Sequence, residues 1–145
     1  MYDFGEAPGA ANVVKLSGNF LLTAAIECLA ESSAMAEKNG VPRRDLITFF
    51  IQTLFNCPIY NNYGKRLIDA DFDQVGFALP LALKDMNLAS QTAAAGRVPM
   101  PVLGLLRDRY LTALANGREH LDAAAFALGA AEDAGLEWFP REVVE

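Results

Sequence analysis

Residues 9–39 constrain this chain more than any other stretch. Val13, Leu16, Phe20, Leu21, Ala24, Ile26 and Leu29 recur there at spacings of three and four, the period of a helical face. No proline interrupts them before Pro42, and Asn39-Gly40 supplies a stop. The spacing predicts one helix, roughly 40–45 Å long at about 1.5 Å per residue. Apolar residues surround it, so it is expected as the central post of a helical domain rather than a surface element.

The same reading places further helices over 43–55, 59–67, 77–96, 101–116 and 121–134. Leu46, Ile47, Phe50 and Leu54 mark the inner side of the first, and Tyr60 and Tyr63 lie on the second. Leu79, Leu83, Met86 and Ala93 stripe the third, and Val102, Leu105, Leu106, Tyr110 and Leu114 the fourth. Pro42 and Pro80 suit first turns, where a missing N–H costs nothing. Gly117 and Gly135 read as helix ends, and Asp122 as part of an N-cap. Residues 69–75 form a polar loop. The expected fold class is all-α, six to seven helices around one long N-terminal helix. Residues 1–8 read as the end of an interdomain strand running into a loop, 9–135 as the helical domain, and 136–145 as a tail. Trp138 and Phe139 would dock that tail on the body or on a neighbour.

At 145 residues and 52% apolar, the chain has the length of one domain and enough apolar surface for a core. Its formal charge of −6, with no basic block, gives no sign of a nucleic-acid partner. Cys28 and Cys57 sit in apolar contexts without a C-x-x-C or Cys/His partner, so both are expected as buried free thiols, with no metal site. Met1-Tyr2-Asp3-Phe4 lacks the pattern of a signal peptide, and no apolar run reaches ~20 residues without charge or proline. The expectation is a soluble, cytoplasmic protein with no membrane partner.

Lys15 and Asn19, four apart on the first helix, share one face. Both fall near the N-terminal end, where the helix field is positive and opposes a second positive charge. That suits a lysine that exchanges a proton near neutral pH, although most such lysines are simply solvated. Gly18 sits inside the helix, where glycine usually marks the close approach of another helix or a ligand. Phe77 precedes Lys84 by two turns and lines either a cleft or the core, with Asp85 as neighbour. His120, the single histidine, reads as a surface residue. There is no G-x-G-x-x-G, P-loop or H-E-x-x-H, so these residues alone cannot build a nucleotide fold.

The run Phe4-Gly5-Glu6-Ala7-Pro8-Gly9-Ala10-Ala11-Asn12-Val13-Val14-Lys15-Leu16-Ser17-Gly18-Asn19, followed by Phe77 to Lys84-Asp85, resembles the C-terminal domain of the β-hydroxyacid dehydrogenases. This is the 3-hydroxyisobutyrate dehydrogenase family, within the 6-phosphogluconate dehydrogenase superfamily, and the resemblance spans 5–135. It implies an all-helical domain that follows a Rossmann domain, with the substrate between them and NAD or NADP bound mainly by the other domain. It implies Lys15 as the catalytic acid/base that protonates a developing alkoxide, and Asn19, with Gly18 beside it, at the substrate. It implies Phe77 at the nicotinamide, with Lys84 and Asp85 on the cofactor side. The implied substrate is a small β-hydroxyacid or semialdehyde acid, and the implied assembly is a homo-oligomer through the helical domain. Ala11 and Gly18 depart from the family's usual glycine and polar residue, and Gly5 stands one residue early. The resemblance further implies that this chain alone turns nothing over. The competing reading is a non-catalytic helical dimerisation module, which needs no Lys15.

Overall fold

The long apolar stretch folds as α1 (Ala10–Lys38) in a computed structural model that describes residues 4–5 and 8–138. It is followed by α2 (Arg43–Gln52), α3 (Pro58–Asp69), α4 (Leu79–Ala95) and α5 (Pro101–Ala115), then a 3-10 helix (Ala123–Ala127) that runs into α6 (Leu128–Asp133). The domain is all-α, as expected. Of the segment 1–8 expected as a strand end running into a loop, residues 1–3 and 6–7 lie outside the described residues, as does the tail from Phe139 onward.

As predicted, α1 is the central post, touching every other helix. Leu16, Ile26, Leu29 and Ala30 are buried along it, facing Ile47, Leu67, Leu79, Met86, Tyr110 and Phe126 in one core. Three members of the predicted stripe do not join that core: Val13 and Leu21 are exposed and Ala24 is only half-buried, while Val14 and Met35 on the same helix are exposed too. A helix apolar all round can bury only the sides its own domain covers, and this domain leaves part of α1 bare. By length and mean hydropathy α1 would also pass for a membrane span. A soluble core helix meets the same test, and α1 carries a buried Glu27 paired with Arg109.

The helix ends explain most differences from the predicted boundaries. α1 stops at Gly40 (φ +84°), where Val41 N–H bonds to Ala36 and Gly40 N–H to Glu37, the glycine-closed end of a Schellman motif. Pro42 stands just outside α2, at its N-cap. α2 ends at Gln52 rather than 55, and the Thr53 hydroxyl turns back to the Phe49 carbonyl. Leu54 is consequently exposed instead of inward. Pro58 opens α3 as its first residue. The predicted last helix divides: Asp122 caps the 3-10 helix by accepting from Ala124 N–H, and α6 continues it.

Trp138 settles the docking of the first part of the tail. The Arg43 guanidinium lies 3.6 Å from the centre of its ring, and Phe72 meets it edge-on. Arg43 also pairs with Glu37 at 2.6 Å, so the tail is held against the start of α2. The cysteines correct the sequence reading, because Cys28 is exposed and Cys57 only half-buried. Cys28 lies on a face of α1 that the domain leaves open, and Cys57 in the bend just before α3.

Candidate active site

A buried carboxylate organises the N-terminal half of α1. Asp85, on α4, is 3% exposed. Its Oδ2 accepts a hydrogen bond from Asn19 Nδ2 at 2.7 Å and faces Lys15 Nζ at 3.2 Å. Lys15 lies in the second turn of α1 and Asn19 one turn on, so their shared face is the one turned to α4. The Lys15 side chain is 61% exposed while Asp85 is enclosed. The ammonium thus reaches solvent while anchored at its inner edge.

These residues line a cavity of about 290 Å³ with Phe77 at its side and Thr23, Tyr63 and Tyr110 further in. Leu22, Ile26, Ala82, Met86 and Ala123 complete an apolar wall. The volume is at the small end of ligand pockets, which hold about 300–1,000 Å³. It accepts a small acid but not a dinucleotide. At the enclosed end Thr23 Oγ1 and Tyr110 Oη share a hydrogen bond at 3.2 Å, with both residues almost wholly buried. Burial pushes the Tyr110 phenol above its usual range, the Thr23 bond opposing, so it remains a neutral hydroxyl. Burial, helped by the nearby Asp122 carboxylate, also raises Tyr63.

Phe77 is not on α4, which starts two residues later, so its predicted alignment with Lys84 along a helix does not hold. Asp122 places it instead. The buried carboxylate accepts from Gly76 N–H at 2.9 Å and Phe77 N–H at 3.1 Å, and pairs with Arg66 at 2.8 Å. Ala123 N–H closes onto the Phe77 carbonyl. The Phe77 ring is left 37% exposed at the cavity, a flat apolar face suited to the edge of a planar cofactor.

Lys84 is exposed and is not among the cavity-lining residues. Adjacent helix residues point about 100° apart, and Asp85 takes the inward direction. Gly18 is exposed too, and a Cβ built there meets nothing within 4 Å. No helix of the described chain approaches it, against one of the two readings of that glycine. His120 is exposed. Thr23 and Tyr110 escaped the sequence reading as site residues. Thr23 continues the Lys15, Asn19 series by another four residues, which was a usable signal. Tyr110 looked like any core aromatic.

Residues 9–128 match the family described as NAD-binding of NADP-dependent 3-hydroxyisobutyrate dehydrogenase. The chain is 35% identical over 125 residues to an uncharacterized oxidoreductase, YfjR, of Bacillus subtilis (strain 168), covering 86% of this chain and 43% of that protein. It is 27% identical over 117 residues to 2-hydroxy-3-oxopropionate reductase of Escherichia coli (strain K12), covering 81% and 40%. Among solved structures it is similar to 3-hydroxyisobutyrate dehydrogenase (ygbJ) from Salmonella typhimurium, with TM-score 0.77 and 25% identity over 87% of this chain and 44% of that one. The chain therefore spans less than half the length of these relatives.

Proposed function

The chain belongs to the NADP-dependent 3-hydroxyisobutyrate dehydrogenase family, whose cofactor is NAD or NADP, and we propose that it is the helical half of an oxidoreductase acting on a small β-hydroxyacid or semialdehyde acid. The observation that carries this reading is the shared Asp85 oxygen, which holds Lys15 and Asn19 together at the edge of an acid-sized cavity. An isolated surface lysine would need no such buried anchor.

In this reading the substrate carbonyl oxygen sits beside Lys15 Nζ. The ammonium gives that oxygen a proton as the carbonyl is reduced, and takes it back in the oxidative direction. Asn19, fixed through its Nδ2, orients the substrate with its amide oxygen, and Gly18 leaves the approach unobstructed. The bound NAD(P) supplies or accepts the hydride. Phe77 offers its exposed face to the nicotinamide end, and Lys84 and Asp85 belong to the cofactor side, Asp85 by fixing the lysine. Most of the cofactor must rest on a nucleotide-binding domain that residues 1–145 do not contain. We place the protein as soluble and cytoplasmic, assembled as a homo-oligomer.

Residues 1–145 alone should show no turnover of small semialdehyde acids with NADPH or NADH, whereas a protein joining them to a nucleotide-binding domain should. Turnover by the 145-residue chain would refute the division of labour, and inertness of the joined protein toward every such acid would refute the oxidoreductase reading.

A further inference from the structure

The enclosed end of the cavity carries a polar device that the proton-transfer chemistry does not use. Thr23 and Tyr110 are 2% and 1% exposed, yet their hydroxyls meet each other in a cavity wall shared with Leu22, Ile26, Met86 and the Tyr63 ring. Ser33, the other buried hydroxyl of α1, bonds back to the Leu29 carbonyl one turn earlier. Thr23 reaches across to α5 instead. Each hydroxyl has one hydrogen and two lone pairs, and their mutual bond uses one hydrogen and one lone pair. One O–H and several lone pairs therefore remain for whatever fills the cavity. Stability alone does not require the pair, because replacing both members of a buried hydrogen bond by apolar groups of the same shape can be nearly neutral.

Resting on the oxidoreductase reading above, we propose that Thr23 and Tyr110 are specificity residues that select substrates carrying a hydroxyl substituent over those with a methyl in its place. Thr23 is one helical turn beyond Asn19, about 6 Å along α1. A small acid with its reacting carbon at Lys15 and Asn19 extends its substituent toward this pair. An apolar pocket hardly distinguishes a methyl from a hydroxyl, whereas a site built to hydrogen-bond a hydroxyl rejects the analogue that leaves its polar groups unmet.

The test compares kcat/KM for 2,3-dihydroxypropanoate and 3-hydroxy-2-methylpropanoate, which differ by hydroxyl against methyl, in the protein that includes its nucleotide-binding domain. Wild type should favour the dihydroxy acid. Thr23→Val and Tyr110→Phe should each erode that preference by about tenfold, mainly through loss on the dihydroxy acid, and Thr23→Ser should retain it. A wild-type preference for the methyl acid, or equal losses on both acids, overturns the selection. Lys15→Ala separates the two levels. If it abolishes turnover of both acids while Thr23→Val leaves their ratio unchanged, only this inference fails. If Lys15→Ala leaves turnover intact, the underlying reading fails and takes this one with it.

Discussion

Asp85 Oδ2 is the atom on which the site depends, because it receives both Lys15 and Asn19. The sequence made Lys15 and Asn19 legible through their shared helical face. It could not reveal that Asp85, 66 positions beyond Asn19, turns inward while Lys84 turns out, since that depends on how α4 is rotated against α1. Tyr110 stayed hidden for a related reason, since a tyrosine in an apolar stripe shows nothing of the cavity it borders, whereas Thr23 was readable as the next step of the Lys15, Asn19 series. A second buried acid carries a stability consequence. Glu27 is 4% exposed, accepts from Arg109 Nε at 2.5 Å, and leaves Oε2 without a partner among the described residues. Burial pushes its carboxyl from 4.5 up to about 6, with Arg109 pulling the other way. The folded state thus holds the proton more tightly than the unfolded chain. Stability from this group is fully present below about pH 4.5 and is lost as pH rises through about 6, a change of about 2 kcal/mol. In urea unfolding, wild type should lose about that much relative to Glu27→Gln between about pH 4.5 and 7. A difference between the two proteins that stays constant with pH contradicts the assignment.

Helix existence and order were readable because apolar period and Pro/Gly punctuation agree along most of the chain. Ends were less readable, since a closing motif depends on backbone angles that residue type only biases. α5 closes on Gly117 at φ +74°, with Arg118 N–H on Ala113 and Gly117 N–H on Leu114. α4 closes the same way, with Val98 N–H on Ala93 and Arg97 N–H on Ala94, but there the left-handed residue is Arg97 at φ +56° and Gly96 precedes it. A side chain in that region costs about 1–2 kcal/mol, partly returned through the stiffer unfolded chain. Arg97→Gly should therefore stabilise the domain by about 0.5–1 kcal/mol, and Gly117→Ala should destabilise it by about 1 kcal/mol. Thermal unfolding that ranks Arg97→Gly below wild type rejects this view of the α4 end.

Across the whole molecule, the all-α fold followed from the residue pattern, while the extent of exposed apolar surface did not. Val13, Val14 and Leu21 on α1, Leu81 and Leu88 on α4, and Val102 and Leu105 on α5 are all exposed. Periodicity marked several of them as core because it reports a face to be covered, not which chain covers it. A groove of about 290 Å³ bordered by Val13, Phe20, Ala89 and Met100 adds to this open surface. Such surface is characteristic of a subunit interface, so light scattering should find a dimer or larger at high concentration, and a clean monomer would remove that support. Catalysis by the Lys15 face is the reading on which the rest stands, and the most direct measurement is a double-mutant cycle on kcat in a protein that joins residues 1–145 to a nucleotide-binding domain. Lys15→Ala should lower kcat by about 10²-fold or more with the fold intact. Asp85→Asn should lower it in the wild-type background but change little once Lys15 is gone. A Lys15→Ala loss of less than about tenfold, or Asp85→Asn effects that are the same in both backgrounds, would contradict a lysine held for proton transfer by that carboxylate.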